Sequence, residues 1–153
     1  LLRHIAEGRR VCLTVTHVDG LVLARSVFHH SVNYRSAVVL GRGRLLAGEA
    51  ERLRALEALT EHLLPGRWAE ARQPSPQELR ATAVALVRIE EASAKIRSGP
   101  PADDEEDYAL PIWAGVLPLQ PQALTPAPDP RLRPGIPFPA SARHYRPGGA
   151  GRP

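Results

Sequence analysis

The stretch Arg10-Val-Cys-Leu-Thr-Val-Thr-His-Val18 is rich in β-branched residues and reads as a strand. Asp19-Gly20 follows, a pair suited to a type I′ turn, whose two central residues take positive φ. Leu21 to Phe28 is then the returning strand of a hairpin. A short connection, His29 to Arg35, leads to a third strand from Ser36 to Leu46. Gly41 and Gly43 fall inside it and predict a bulge or bend. Their alternation with Arg42 and Arg44 predicts one wet face at that end.

The period then changes. Leu53, Leu56, Leu59, Leu63 and Leu64 recur at helical spacing and predict a helix over 49–64, stopped by Pro65-Gly66. Ser75-Pro76-Gln77-Glu78 has an N-cap serine, proline at the first helical position and a glutamate completing a capping box. That second helix is short and gives way to a fourth strand, Thr82 to Glu90. Ser98-Gly-Pro-Pro101 breaks the chain, and the acidic run from Asp103 to Asp107 reads as a solvated loop or helix start. Ile112 to Leu119 is the last strand, with Pro118 at an edge or near its end. The order predicts a mostly β domain with α: a small antiparallel β-barrel with helices capping it. About five strands can be counted. The opening residues, Leu1 to Gly8, read as the tail of an amphipathic helix ending at a glycine C-cap. The expectation is that further strands precede them.

Composition changes the picture at the C-terminal end. Residues 120–153 hold nine of the sixteen prolines and carry Arg131, Arg133, Arg143, Arg146 and Arg152 against Asp129, which is 5 − 1 = +4. Residues 1–119, the expected barrel domain, are therefore neutral, and 120–153 reads as a largely disordered tail. A neutral folded part offers no basic face to track phosphates, so a nucleic-acid partner is not expected. No apolar run spans a bilayer, so neither is a membrane. Cys12, the one cysteine, has no internal partner, which makes a reducing cytoplasm the default. Mid-strand among apolar neighbours, it is expected to be a small buried hydrophobe.

Three ordered blocks carry a resemblance. They run from Val15 to Ser26 with Phe28 to Ser36, from Ile89 to Pro101, and from Asp103 to Leu119. Together they resemble the pyridoxamine 5′-phosphate oxidase-related flavoproteins, in the branch of the nitroimidazole-resistance reductases. The resemblance covers roughly residues 1–138. It implies an FMN-binding split barrel that works as a homodimer, with FMN in a groove between subunits and contacts from both. The implied activity is a flavin-dependent oxidoreductase acting on a small-molecule substrate. In that family the phosphate is held on strands lying before the first of these blocks, so the chain resembles an N-terminally truncated member. An inactive remnant is one alternative. Another is a non-enzymatic split barrel holding flavin or haem, with His29 or His30 as axial ligand. True pyridoxamine-phosphate oxidation is not expected, because no Arg-Leu-His-x-Arg type C-terminal segment is found.

The resemblance also singles out residues. Ser36 stands where the oxidases place a glutamine against the flavin, so its hydroxyl is a candidate contact, and Arg35 is a candidate for phosphate. Tyr34 opens the same strand, and Ser31 and Asn33 lie in the connection before it, where turn chemistry suits them equally. Lys95, the single lysine, is placed to stabilise negative charge on a reduced flavin or a substrate anion, or is simply solvated. Trp113 is either a stacking surface for the ring system or a core or interface anchor. His29 and His30 are adjacent, so on a strand they point to opposite faces and do not share one metal. No metal site is expected.

Overall fold

The structure, a computed structural model, describes residues 1–143 and 145–147. Apart from the first two residues, its chain forms one unit from 3–43 with 87–120 and a second from 44–86 with the residues after 120. The first unit is built on a four-stranded sheet in the order β3-β2-β1-β4. Its strands are β1 (Arg10–Leu23), β2 (Ser31–Leu45), β3 (Ala85–Arg97) and β4 (Gly115–Pro118), and β1 pairs antiparallel with both β2 and β4. Helix α1 (Leu2–Ala6) precedes them, closed by Gly8 at φ 65°.

The hairpin expected at Asp19-Gly20 does not form. β1 runs through that pair, and the register with β2 slips between Val18 and Gly20, so the extra residue is a bulge inside one long strand. Gly20 does not take positive φ. Its requirement is space: a Cβ there would lie 3.0 Å from Val116 Cγ1 and 3.1 Å from the Leu117 carbonyl oxygen of β4. The chain reverses later, where the Ser26 hydroxyl accepts from the Phe28 N–H and caps a single 3-10 turn, Val27–His29. Gly41 and Gly43 do not mark a bulge either. Gly41 keeps register opposite Val11, and a Cβ on it would lie 1.9 Å from the Arg88 carbonyl oxygen of β3. Glycine is selected here because two backbones meet.

Ile5, Val22 and Ala24 are the buried apolar residues of this unit, with Val22 fully enclosed at the β1–β4 end. The middle of the β1–β2 ladder is open on both faces. Leu13 and Val15 are 49% and 61% exposed on one, and Val18 is 45% exposed on the other. Cys12, expected in a core, is exposed for the same reason: nothing in its unit covers that stretch of sheet.

The second unit holds α2 (Glu49–Leu63), α3 (Arg67–Glu70) and α4 (Pro76–Ala81). The capping box at Ser75 and Glu78 is formed in both directions. The leucine stripe of α2 buries less than its spacing predicts: no α2 residue is buried, and Leu59 and Leu63 are more than half exposed. Leu46 and Leu79 are the buried apolar residues. After Gln120 the proline-rich segment is irregular, with one 3-10 turn at Ala140–Ala142, where the Ser141 N–H and hydroxyl donate to the Glu70 carboxylate. His144 and residues 148–153 of that expected tail lie outside the described residues. Among the described residues no helix is long and apolar enough to cross a membrane.

Candidate functional site

The candidate residues cluster around β2, and strand alternation divides them. Ser31, Asn33 and Arg35 project to one face, Tyr34 and Ser36 to the other. The ladder agrees with the division. Ser36 lies opposite Thr16 and their hydroxyls are 2.8 Å apart, while Arg35 lies opposite His17 and reaches Asp19 of the bulge. One protomer therefore cannot bring all five side chains to one ligand.

At the end toward the chain reversal these groups are closed off. Asn33 is 8% exposed; its Nδ2 donates to the Gly99 carbonyl at 3.0 Å and its Oδ1 accepts from Arg97 Nη1 at 3.0 Å. Ser31, paired with the fully buried Val22, has an enclosed hydroxyl with no hydrogen-bond partner among the described residues. Both lie within β2 rather than in the connection expected from sequence. A ligand on the open sheet meets neither side chain directly.

The closure itself comes from Asp103, which sequence reasoning places in a solvated acidic run. Its side chain is fully buried. It accepts from the Arg25 N–H at 2.9 Å, from the Ser26 N–H at 3.1 Å and from the Arg25 guanidinium at 3.1 Å. Burial pushes this carboxyl up, but those hydrogen bonds outweigh it and hold it below its ordinary value. Arg25 in turn lies over the Tyr108 ring, 4.8 Å from its centroid. The signal that could have found Asp103 is its spacing from Gly99-Pro-Pro101, which bends the chain back toward β1.

Toward the open middle the polar groups lie at the surface. Arg35 makes a two-pronged pair with Asp19 at 2.9 and 2.8 Å. Those hydrogen bonds lower the Asp19 carboxyl and raise the guanidinium. A phosphate at Arg35 would therefore have to displace Asp19. Lys95 is exposed in β3 and makes no hydrogen bond or ion pair among the described residues. Alternation puts it on the face of Arg97, hence that of Asn33 and Arg35. It is the cation of this face left open to a ligand. Trp113 is 68% exposed and lies against Gly115, where a Cβ would come within 2.8 Å of the indole.

His29 and His30 sit in and after the 3-10 turn, not on a strand. His29 Nε2 lies 3.3 Å from Asp104 Oδ2, and its ring meets Phe28 edge-on at 5.4 Å. His30 Nδ1 is 3.1 Å from the Val27 carbonyl. A carbonyl only accepts, so Nδ1 is the donor in this contact, and Nε2 is the ring nitrogen it leaves without a partner among the described residues. Val27 and Phe28 beside it are 85% and 90% exposed.

A mostly β chain with helices, whose sheet leaves a cation and broad apolar strand surface uncovered, has the split-barrel fold. The chain belongs to the pyridoxamine 5′-phosphate oxidase family, whose model matches residues 1–96. Several solved structures are similar to it. The flavocytochrome Anf3 from Azotobacter vinelandii is 45% identical, with a TM-score of 0.85 over 95% of this chain and 67% of that one. The FAD and heme binding protein from Mycobacterium smegmatis is 40% identical, with a TM-score of 0.84 over 93% and 70%. No curated protein matches the chain.

Proposed function

We propose that this chain is a flavin-binding oxidoreductase subunit, cytoplasmic and paired with a second copy of itself, acting on a small-molecule substrate. The observation that carries the reading is the open cation Lys95 beside uncovered strand surface, in a chain of this family. Lys95 is the residue to hold a phosphate or the negative edge of a reduced ring, and Tyr34 and Trp113 are the surfaces to pack on it. Arg35 joins only by releasing Asp19, and Ser36 only by releasing Thr16. When bound, flavin supplies the hydride and electron transfer; the chain's groups bind and orient it. The exposed Leu13, Val15 and Val18 supply the surface for the second copy, which also resolves the two-faced arrangement of β2, since each flavin then draws on both subunits. Assignment to the nitroimidazole-resistance-like branch belongs to the same reading and rests on the blocks in residues 15–36.

FMN is expected from the family, and FAD from the likeness to the FAD and heme binding protein of Mycobacterium smegmatis. Titration of the purified chain with each, followed by absorbance and flavin fluorescence, tests the reading. Saturable binding near one flavin per chain, weakened by Lys95→Gln, supports it; failure to bind either flavin overturns it.

A second reading has its own support. One structural neighbour is a flavocytochrome and another is an FAD and heme binding protein. Exposed His30, with Nδ1 engaged by the Val27 carbonyl and exposed Val27 and Phe28 beside it, suits an axial ligand through Nε2 next to a planar apolar group. Haemin titration should give a sharpened Soret band that His30→Ala removes. An unchanged band in that variant sinks His30 as the ligand.

A further inference from the structure

Within the second unit, a hollow of about 850 Å³ opens between the C-terminal end of α2 and the segment after Gln120. The end of α2 contributes Leu63 and Leu64 to its lining, and the later segment contributes Leu124, Phe138, Arg143 and Tyr145. The volume is that of a drug-sized ligand site. We propose that this hollow binds a small amphipathic carboxylic acid, with its apolar body against Leu63, Leu124 and Phe138 and its carboxylate on Arg143.

Three observations converge. First, the walls are braced. Glu61 accepts from the Gly66 and Trp68 N–H groups at 2.7 and 2.9 Å, which fixes the turn after α2, and Glu70 holds Ser141, which fixes the 3-10 turn leading to Arg143. Second, the lining keeps apolar side chains at solvent: Leu124 is 80% exposed, Leu63 63% and Phe138 45%. A ligand with an apolar body would take that area from water. Third, the charge has one sign. Among the described residues the lining has no carboxylate, and the Arg143 guanidinium makes no hydrogen bond or ion pair. From Pro121 to Pro147 the chain carries Arg131, Arg133, Arg143 and Arg146 against Asp129 alone. An apolar hollow edged by a free guanidinium selects an anion with a hydrocarbon or aryl body over either half of that molecule alone.

Isothermal titration of the full 153-residue chain with decanoate, below its micellar concentration, tests this, with decanol and acetate as controls. Decanoate should bind saturably near one per chain, decanol more weakly, and acetate not at all. Arg143→Ala should weaken decanoate about fivefold, the size of one exposed charged contact, and leave decanol unchanged. Leu124→Asp, at a position too exposed to threaten folding, should abolish decanoate binding. The proposal is overturned if decanoate shows no saturable binding, if decanol binds as tightly, or if both variants bind decanoate as the parent does.

Discussion

The reversal end and the middle of the β1–β2 ladder are built on opposite principles. At the reversal, Val22 is fully enclosed, Asn33 has partners for both ends of its amide, and Asp103 ties two backbone N–H groups and a guanidinium together. In the middle, the same two strands carry Leu13, Val15 and Val18 half or nearly half in solvent, and the polar groups pair at the surface. Burying a polar group without a partner costs free energy, and at the closed end Asn33 and Asp103 are paired within the chain although the Ser31 hydroxyl is not, whereas an exposed group is free to exchange its partner for a ligand or a second copy. The closed end holds the fold, and the open stretch is where binding can occur.

The largest effect is expected away from the reversal, opposite Val11, where Gly41→Ala would disturb the meeting of β2 and β3. The new Cβ would lie 1.9 Å from the Arg88 backbone oxygen, and backbone gives way far less readily than the tip of a side chain. The expected cost is about 3 kcal/mol or more, seen as loss of soluble folded protein or a large fall in Tm. A variant with parental Tm would show that β3 is not held against β2 as described.

Next in size is Asp103. Asp103→Ala leaves the Arg25 and Ser26 N–H groups without their acceptor and should lower Tm by several degrees, with Asp103→Asn intermediate because one acceptor oxygen remains. The native carboxyl titrates below its ordinary value of 3.8. Its stabilisation is therefore fully present above that value and is lost as pH falls through the lower native one. The Asn variant should show a flatter fall of Tm below pH 3.8 than the parent. Equal slopes would mean that Asp103 is not ionised in the clasp.

How much of this is legible in the sequence follows the same division. The α2 and α4 helices, the capping box and the terminal Pro118 of an edge strand are readable, because each depends on neighbours in sequence. Asp19-Gly20 misleads because its glycine answers to β4, nearly a hundred residues on, rather than to a turn. Cys12 misleads because alternation shows which side chains share a face but not whether anything covers it. Asp103 escapes notice because a carboxylate in an acidic run looks solvated until its distant backbone donors are known. Of the candidate residues, the strand from Tyr34 onward is legible, but the place of Ser31 and Asn33 within β2 is not, and neither are the partners Asp19, Thr16 and Arg97, because pairing is set by ladder register.

Substitution in the open stretch should leave the frame alone. Val15→Glu, at a position 61% exposed, should change the stability of the isolated chain by no more than about 0.5 kcal/mol. It should weaken self-association on the order of a hundredfold, because a charge would be carried into an apolar contact. Sedimentation at several concentrations reads the second effect and thermal unfolding at low concentration the first. An unchanged association would move the pairing surface away from this face.

The smallest effect belongs to Asp19, and it tests the division most finely. Asp19 and Asp103 both have lowered carboxyls, both from hydrogen bonds to arginine or backbone, yet they stand on opposite sides of the comparison. The Asp19–Arg35 pair is exposed at the surface, with side chains 36% and 61% accessible. Water and salt already compete for it, so its loss removes little. Asp19→Asn should therefore shift Tm slightly at low ionic strength and within measurement scatter at high salt, whereas the Asp103→Asn shift should persist in both. The same substitution frees Arg35, so flavin affinity should rise if Arg35 contacts the phosphate and stay unchanged if it does not. A large, salt-independent loss of stability in Asp19→Asn would place the bulge with the closed frame and move the boundary between the two regions to Val18.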